Sequence, residues 1–351
     1  MALKKITLAL PKELEGSRID HVLATLLPAN AEVTRMGIVI SKGKVRKLII
    51  AGAVYLNSGR IRIASKACRP GARIEVYLDP AKLTTDGERS GEAVKEWKLD
   101  ADQILFEDEW IIGVNKPAGL PTQPTLDEAR ANLYVLLQKF IRARDGLAAY
   151  VGLHHRLDRD TSGVMVFTKK KEANAEVGRA FAEHLAKKTY VAIVSTPRPL
   201  PESWQVDNFL ARDKGKSGKM MAVRSGGDRA ITDFRTLAQT AGYALVEAKP
   251  RTGRMHQIRV HLAGGDTPII GDRTYGGITN LPGKTEHLRV MLHAENLTFP
   301  HPVTKLKISF AAPLTPDFKQ CLSQLRLPNH SSDDFGNERR SSESTFTATE
   351  N

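Results

Sequence analysis

The chain has 351 residues and a formal net charge of +13, from 52 Lys+Arg against 39 Asp+Glu, so it is long enough for two domains and basic enough to make a polyanion the first partner to consider. Hydrophobic residues at 41% exclude disorder for most of the chain, and no apolar run approaches the roughly 20 residues of a membrane helix. The two cysteines, Cys68 and Cys321, are too few for a disulfide framework or a cysteine-rich zinc site, and a soluble, cytoplasmic protein without membrane association is expected.

Residues 1–82 carry 15 Lys+Arg against six acids, most of the chain's excess charge. The basic run SKGKVRK at 41–47 lies between apolar 38–40 and 48–50, and AGAVYLNSGR then reads as strand, turn, strand. This order, with an Asn-x-Gly turn and a late glycine, resembles a small S-four-like RNA-binding module, its better-matching half at 51–77; where that module has Gly-Asp, this chain has Gly71-Ala72. Lys42, Lys44, Arg46, Lys47 and Arg60 are the candidate RNA contacts. A solvated basic face without a ligand is the plainer alternative.

Residues 84–92, TTDGERSGE, lack periodic apolar residues and read as linker. The expected domains are therefore a basic module at 1–82, a linker at 83–100, a second domain at 101–326 and a polar tail at 327–351. In the second domain 133–141 marks one helix. Ala173, Val177, Phe181 and Leu185, four apart, mark another over 172–188. Strands are expected at 163–168, 189–194, 243–248 and 308–312, which puts Tyr190 at a helix-to-strand junction. Several adjacent strands with few helices between them give an α+β class with a mixed, mostly antiparallel sheet flanked by helices and loops, beside a small α/β N-terminal domain.

The densest chemistry is His154-His155-Arg156-Leu157-Asp158-Arg159-Asp160-Thr161-Ser162-Gly163, a polar loop running into the apolar GVMVF. Asp158 and Asp160 could simply close a turn with Thr161 and Gly163. A second cluster lies at 251–261, where Arg259 and His261 fall on one face of an expected strand and Ile258 and Val260 on the other. A buried arginine there needs an acid, and a loop aspartate is available.

HRLDRDTSG at 155–163, KKTYVAIV at 187–194, TGRMHQIRVH at 252–261, GDRTYGG at 271–277 and LHAENLTFPHP at 292–302 resemble, in order, the motifs of RluA-type pseudouridine synthases. Glu107-Asp108-Glu109-Trp110 through Lys116-Pro117-Ala118-Gly119 resembles the opening motif of that domain. The likeness spans roughly 102–325 and implies the pseudouridine synthase fold with an appended S-four-like module. It implies Asp158 as catalytic aspartate, Arg259 as its salt-bridge partner, Tyr190 as the aromatic that stacks on the target base, and Arg156 as the arginine that fills the vacated RNA stack. Gln123, where a histidine is common, and Ser195, where a glycine loop is usual, depart from the pattern at the pocket rim.

The implied reaction breaks the bond from ribose to the uracil nitrogen, turns the held base and joins ribose to carbon five. It needs no redox change, metal or small-molecule cofactor, and none is expected. A carboxylate serves either by trapping the positive sugar carbon or by adding to the uracil ring. For both it must stay ionised, which a paired arginine favours, in a pocket that excludes water. Tyr190 could carry the carbon-five proton or only stack, and the base must be flipped out at a cost of a few kcal/mol. Lys116-Pro117-Ala118-Gly119 reads as a turn, to which only the resemblance adds a role lining the active-site cleft; Gly271, Tyr275 and Gly276 read as structural, and the histidines lack metal-ligand spacing. Two rivals remain. One is a magnesium-dependent phosphoryl-transfer enzyme using Asp158 and Asp160, whose usual hydrophobic lead-in strand is replaced here by His154-His155-Arg156. The other is an RNA-binding or ribosome-assembly factor that keeps the fold without the catalysis. Large-subunit ribosomal RNA is the first substrate implied and transfer RNA the second, and a monomer is the simplest expectation.

Overall fold

A computed structural model of the protein describes residues 4–37, 40–79, 97–124, 131–146, 148–213, 215, 218–282, 285 and 287–328. The expected linker segment 84–92 and residues 329–351 of the expected tail lie outside them. The chain divides into two compact units, Met1–Trp97 with Pro124–Ala131, and Lys98–Gln123 with Asn132–Asn351. Among the described residues no helix is long and apolar enough to cross a membrane.

The first unit pairs four antiparallel strands in the order β1 (Lys4–Ala9), β4 (Arg73–Leu78), β2 (Val54–Leu56), β3 (Gly59–Ile61). Period-two alternation buries Ile6, Leu8, Val54, Ile74, Val76 and Leu78 in one core with Ile19, Val22 and Leu23 of helix α1 (Ile19–Leu26), Val33 of α2 (Ala31–Arg35) and Val45 and Ile49 of α3 (Lys42–Ile50). The expected hairpin is present. Asn57 and Ser58 both take positive φ, 48° and 65°, as a tight two-residue hairpin turn requires, and Asn57 Oδ1 accepts the Arg73 N–H at 2.8 Å.

The second unit carries a mixed sheet of eleven strands. Its main path runs β11 (Met220–Val223), β10 (Ser203–Arg212), β12 (Asp228–Thr240), β13 (Tyr243–Pro250), β9 (Lys187–Ser195), β14 (Leu292–Pro300), β8 (Ser162–Thr168), β6 (Ile111–Lys116), β5 (Ile104–Glu107). β15 (Lys307–Ala311) pairs with β14 and β7 (Gly152–Leu153) with β8; among the described residues only the short β14–β8 pairing is parallel. Helix α4 (Leu133–Asp145) starts on Asn132, whose side chain accepts the Val135 N–H, and stops at Gly146 with φ 93°. Helix α7 (Pro316–Gln324) buries Phe318, Cys321 and Leu322 in a core shared with β9 and β13; Leu327 is buried there too.

Two expected elements change. The helix expected over 172–188 is only nine residues, α5 (Asn174–Ala182). The chain turns at His184, φ 59°, leaves Leu185 exposed and enters β9 at Lys187, so Tyr190 sits inside a strand. The strand expected at 258–261 is a helix, α6 (Gln257–Gly264), entered from His256 in the left-handed region at φ 55°. Gln257 to Leu262 are all buried, and a helix hidden on every side shows no 3.6-residue stripe.

Candidate active site

The loop 154–161 connects the short β7 to β8, a central strand buried along its whole length. Three anchors fix its backbone. The fully buried Lys116, at the end of β6, donates from Nζ to the carbonyls of Pro117, Leu120 and Arg159 at 2.8–2.9 Å. Burial pushes its pKa down to about 7, while three carbonyl acceptors match the three N–H groups that only the ammonium has. Thr122 accepts the Leu157 N–H at 3.2 Å and donates to the Leu157 carbonyl at 2.8 Å, on either side of the residue before Asp158. Arg289 reaches the Asp160 carbonyl at 3.5 Å and holds Asp317 of α7. The turn at 116–119 is thus the floor of the loop: Gly119, at φ 86°, also donates its N–H to the Arg159 carbonyl.

Asp158 and Tyr190 meet through sheet register. Gly163, at the start of β8, is opposite Ala294 of β14, and Ala294 is opposite Tyr190 of β9, two strand spacings of about 4.8 Å. A Cβ on Gly163 would lie 2.1 Å from the Ala294 carbonyl oxygen, and its φ is 114°. Gly163→Ala is therefore expected to cost more than about 3 kcal/mol and to remove activity by displacing the loop. Denaturant unfolding beside a turnover assay checks this.

Asp158 is partly exposed, its side chain at 21%. Its Oδ2 accepts from Arg259 Nη1 at 2.9 Å and lies 3.6 Å from His256 Nε2. Among the described residues no donor reaches Oδ1. The expected pair is present, but Arg259 commits more of its guanidinium elsewhere: Nε and Nη2 grip both oxygens of Asp272 at 2.7 and 2.9 Å. Asp272 is fully buried. Burial opposes the charge of Arg259, and Asp272, then Asp158, more than restore it, so its pKa is raised. Tyr275 lies under the guanidinium at 5.1 Å and shares a 2.8 Å hydrogen bond with His256 Nδ1. Because Arg259 and His261 lie two apart on a helix, they diverge: His261 bonds Thr232 and Asn208 at 3.0 Å, away from Asp158.

Tyr190 is half-buried and lines a cleft of about 680 Å³ with Arg156, Asp158, Phe181, Lys188 and Arg259. Burial first, and Asp158 second, raise its phenol pKa above the ordinary value, so it is a poor resting base. Arg156 is exposed at the same cleft and makes no ion pair among the described residues. His155 is kept neutral by burial, its pKa pushed down to about 3, and is spent on structure: Nε2 accepts the Val166 N–H at 3.0 Å and the ring stacks on Phe181 at 4.5 Å.

The N-terminal candidates separate. Arg46 shares Asp20 with Arg18, at 3.2 and 2.8 Å, a structural pair. Arg60 is exposed and lies over the Tyr55 ring at 5.2 Å. Lys44 is half-buried on α3, and of Lys42 and Lys47 only the backbone is described. Asp272, Thr122 and His256 belong to the site without any role expected from the sequence, whereas Lys116 lies in the expected turn and anchors the loop. Asp272 sits inside the quoted GDRTYGG, and an acid flanked by turn residues was its only signal.

Residues 111–264 match the family model described as RNA pseudouridylate synthase, and residues 31–74 match the S4 domain. A ribosomal large subunit pseudouridine synthase D of Neisseria meningitidis serogroup A is 31% identical over 339 residues, 92% of this chain and 82% of the relative. A tRNA pseudouridine synthase C of Salmonella typhi is 33% identical over 70% of this chain and 99% of its own. The structure of human RNA Pseudouridylate Synthase Domain Containing 4 superposes with a TM-score of 0.54 at 29% identity, covering 65% of this chain and 95% of that one.

Proposed function

Because this chain belongs to the RluA family of RNA pseudouridine synthases and carries an N-terminal S4 domain, we propose that this isomerase acts on specific uridines of large-subunit ribosomal RNA in the cytoplasm. The observation that carries the reading is the half-open carboxylate of Asp158, gripped on one oxygen by Arg259 and with no donor on the other among the described residues. A protein that only binds RNA gains nothing from an anion placed beside the phosphates it must attract. The names of the Neisseria relative and of others like it favour ribosomal RNA; the Salmonella relative makes transfer RNA the second candidate.

In this reading the target uridine leaves its stack, Arg156 fills the gap, and the base lies against the ring of Tyr190. Asp158 presents Oδ1 to the nucleotide, and Arg259, bonded to Oδ2, aims the carboxylate. Whether that oxygen traps the sugar carbon or adds to the uracil ring, the same geometry holds the base while ribose passes from nitrogen to carbon five. The raised phenol pKa makes Tyr190 a stacking platform whose hydroxyl accepts a proton only by giving up its own.

The basic residues of the first unit then supply affinity without choosing chemistry. Replacing Lys42, Lys44, Lys47 and Arg60 together by glutamine is expected to weaken RNA binding by more than tenfold near physiological salt. The slope of log affinity against log salt should fall by about 3, with turnover at saturating RNA unchanged. Filter binding across a salt series, with initial rates, checks this; an unchanged slope contradicts it. Assaying transcribed ribosomal and transfer RNA side by side for pseudouridine tests the substrate class.

A further inference from the structure

Lys188 is a cation in the cleft that the site as described leaves without work. It sits two residues before Tyr190 on β9, so the two side chains share a face of the strand, and both line the cleft. It is half-buried. Its ammonium lies 6.0 Å from the centre of the Phe181 ring, and a Cβ built on Gly253 would stand 3.5 Å from Nζ, so the group is lodged between α5 and the turn after β13. Neighbouring cations on that turn are neutralised: Arg251 by Asp233 at 2.5 Å, Arg254 by Asp228 at 3.8 Å. The Lys188 ammonium has no acidic partner and no hydrogen bond among the described residues.

A charge withdrawn from water without a counter-ion is a standing cost to the fold, and burial accordingly depresses the Lys188 pKa. Such a cost persists where a ligand supplies the missing anion. Uracil and ribose are neutral, so the only anions an RNA can bring here are its phosphates. We propose that Lys188 is a phosphate subsite, taking one of the two phosphates that flank the flipped uridine while Tyr190, its neighbour along the strand, takes the base. The assignment rests on the pseudouridine synthase reading for the identity of the flipped base, but not for the anion.

The test compares wild type, Lys188→Met and Lys188→Arg as full chains, using transcribed large-subunit ribosomal RNA and transfer RNA. Direct binding across a salt series, thermal melting and tritium release from uridine labelled at carbon five are measured for each. Lys188→Met should bind the responding RNA about tenfold more weakly, the scale of one charge-assisted hydrogen bond, with a salt slope smaller by about 0.7–0.9. Its melting temperature should be unchanged or raised, because the unpaired cation is gone, and Lys188→Arg should restore affinity and slope. A lysine that only packs would instead lower the melting temperature and leave the slope alone, and a contact to a uracil carbonyl would weaken binding without changing the slope. Either result overturns the subsite. Absence of tritium release from wild type, with the slope change intact, would remove the enzymatic reading and leave the phosphate site standing.

Discussion

Asp158→Ala is expected to abolish turnover, by on the order of 10⁴-fold or more, while RNA affinity stays within a few fold. The separation follows from how the site is held. Arg259 keeps both hydrogen bonds to Asp272 when Asp158 is removed, so the buried guanidinium is not stranded. The loop is held by Lys116, Thr122 and Arg289 through its backbone, not through the Asp158 side chain. Deleting an anion from a cleft built for a polyanion leaves binding intact or slightly tighter. Single-turnover rates and filter binding on the same preparations check this, and a parallel loss of both would mean that Asp158 is structural.

Asp272→Ala is expected to damage both fold and catalysis. Asp272 is fully buried and also accepts the Thr274 N–H at 3.1 Å. Removing it leaves Arg259 with a single hydrogen bond to Asp158, and breaking a buried ion pair from one side costs about 3–5 kcal/mol, roughly 6–20 °C of melting temperature for a folding unit of about 150–250 residues. The freed guanidinium then swings onto Asp158 and misaims its carboxylate, a displacement worth about 10²-fold in rate. Asp272→Asn, which keeps an acceptor and the shape, should recover much of the stability and little of the rate. Melting curves and rates for the two variants test it. Equal rates for wild type and Asp272→Asn would show that Arg259 aims Asp158 without help.

The loop and strand of the site were legible because a polar run meeting an apolar one is a signal at the scale of a few residues: HRLDRDTSG enters GVMVF, and β8 is there. The alternation of Arg259, Val260 and His261 favours a strand, yet Arg259 lies on a helix, because a helix buried on all sides shows no polar stripe to tell it from a central strand. Placing Arg259 and His261 on one face hid the fact that Arg259 points to Asp272. Asp272 itself and Lys116 act through contacts over 13 and 43 residues, which no local pattern encodes, and each lies among glycine and proline that read as turn. The outer strands β10–β12 carry a weak sequence signal although Trp204, Val206 and Leu210 alternate along β10. Their other face is charged and solvated, as in Asp207 paired with Arg229, and the hydrophobic signal is thin there.

The most direct measurement is tritium release from RNA labelled at carbon five of uridine, with ribosomal and transfer RNA as separate pools, a chelator present and Asp158→Ala as control. Release by wild type alone, strongest with large-subunit ribosomal RNA, is the predicted result. Release that Asp158→Ala retains, or no release from either pool, would contradict it.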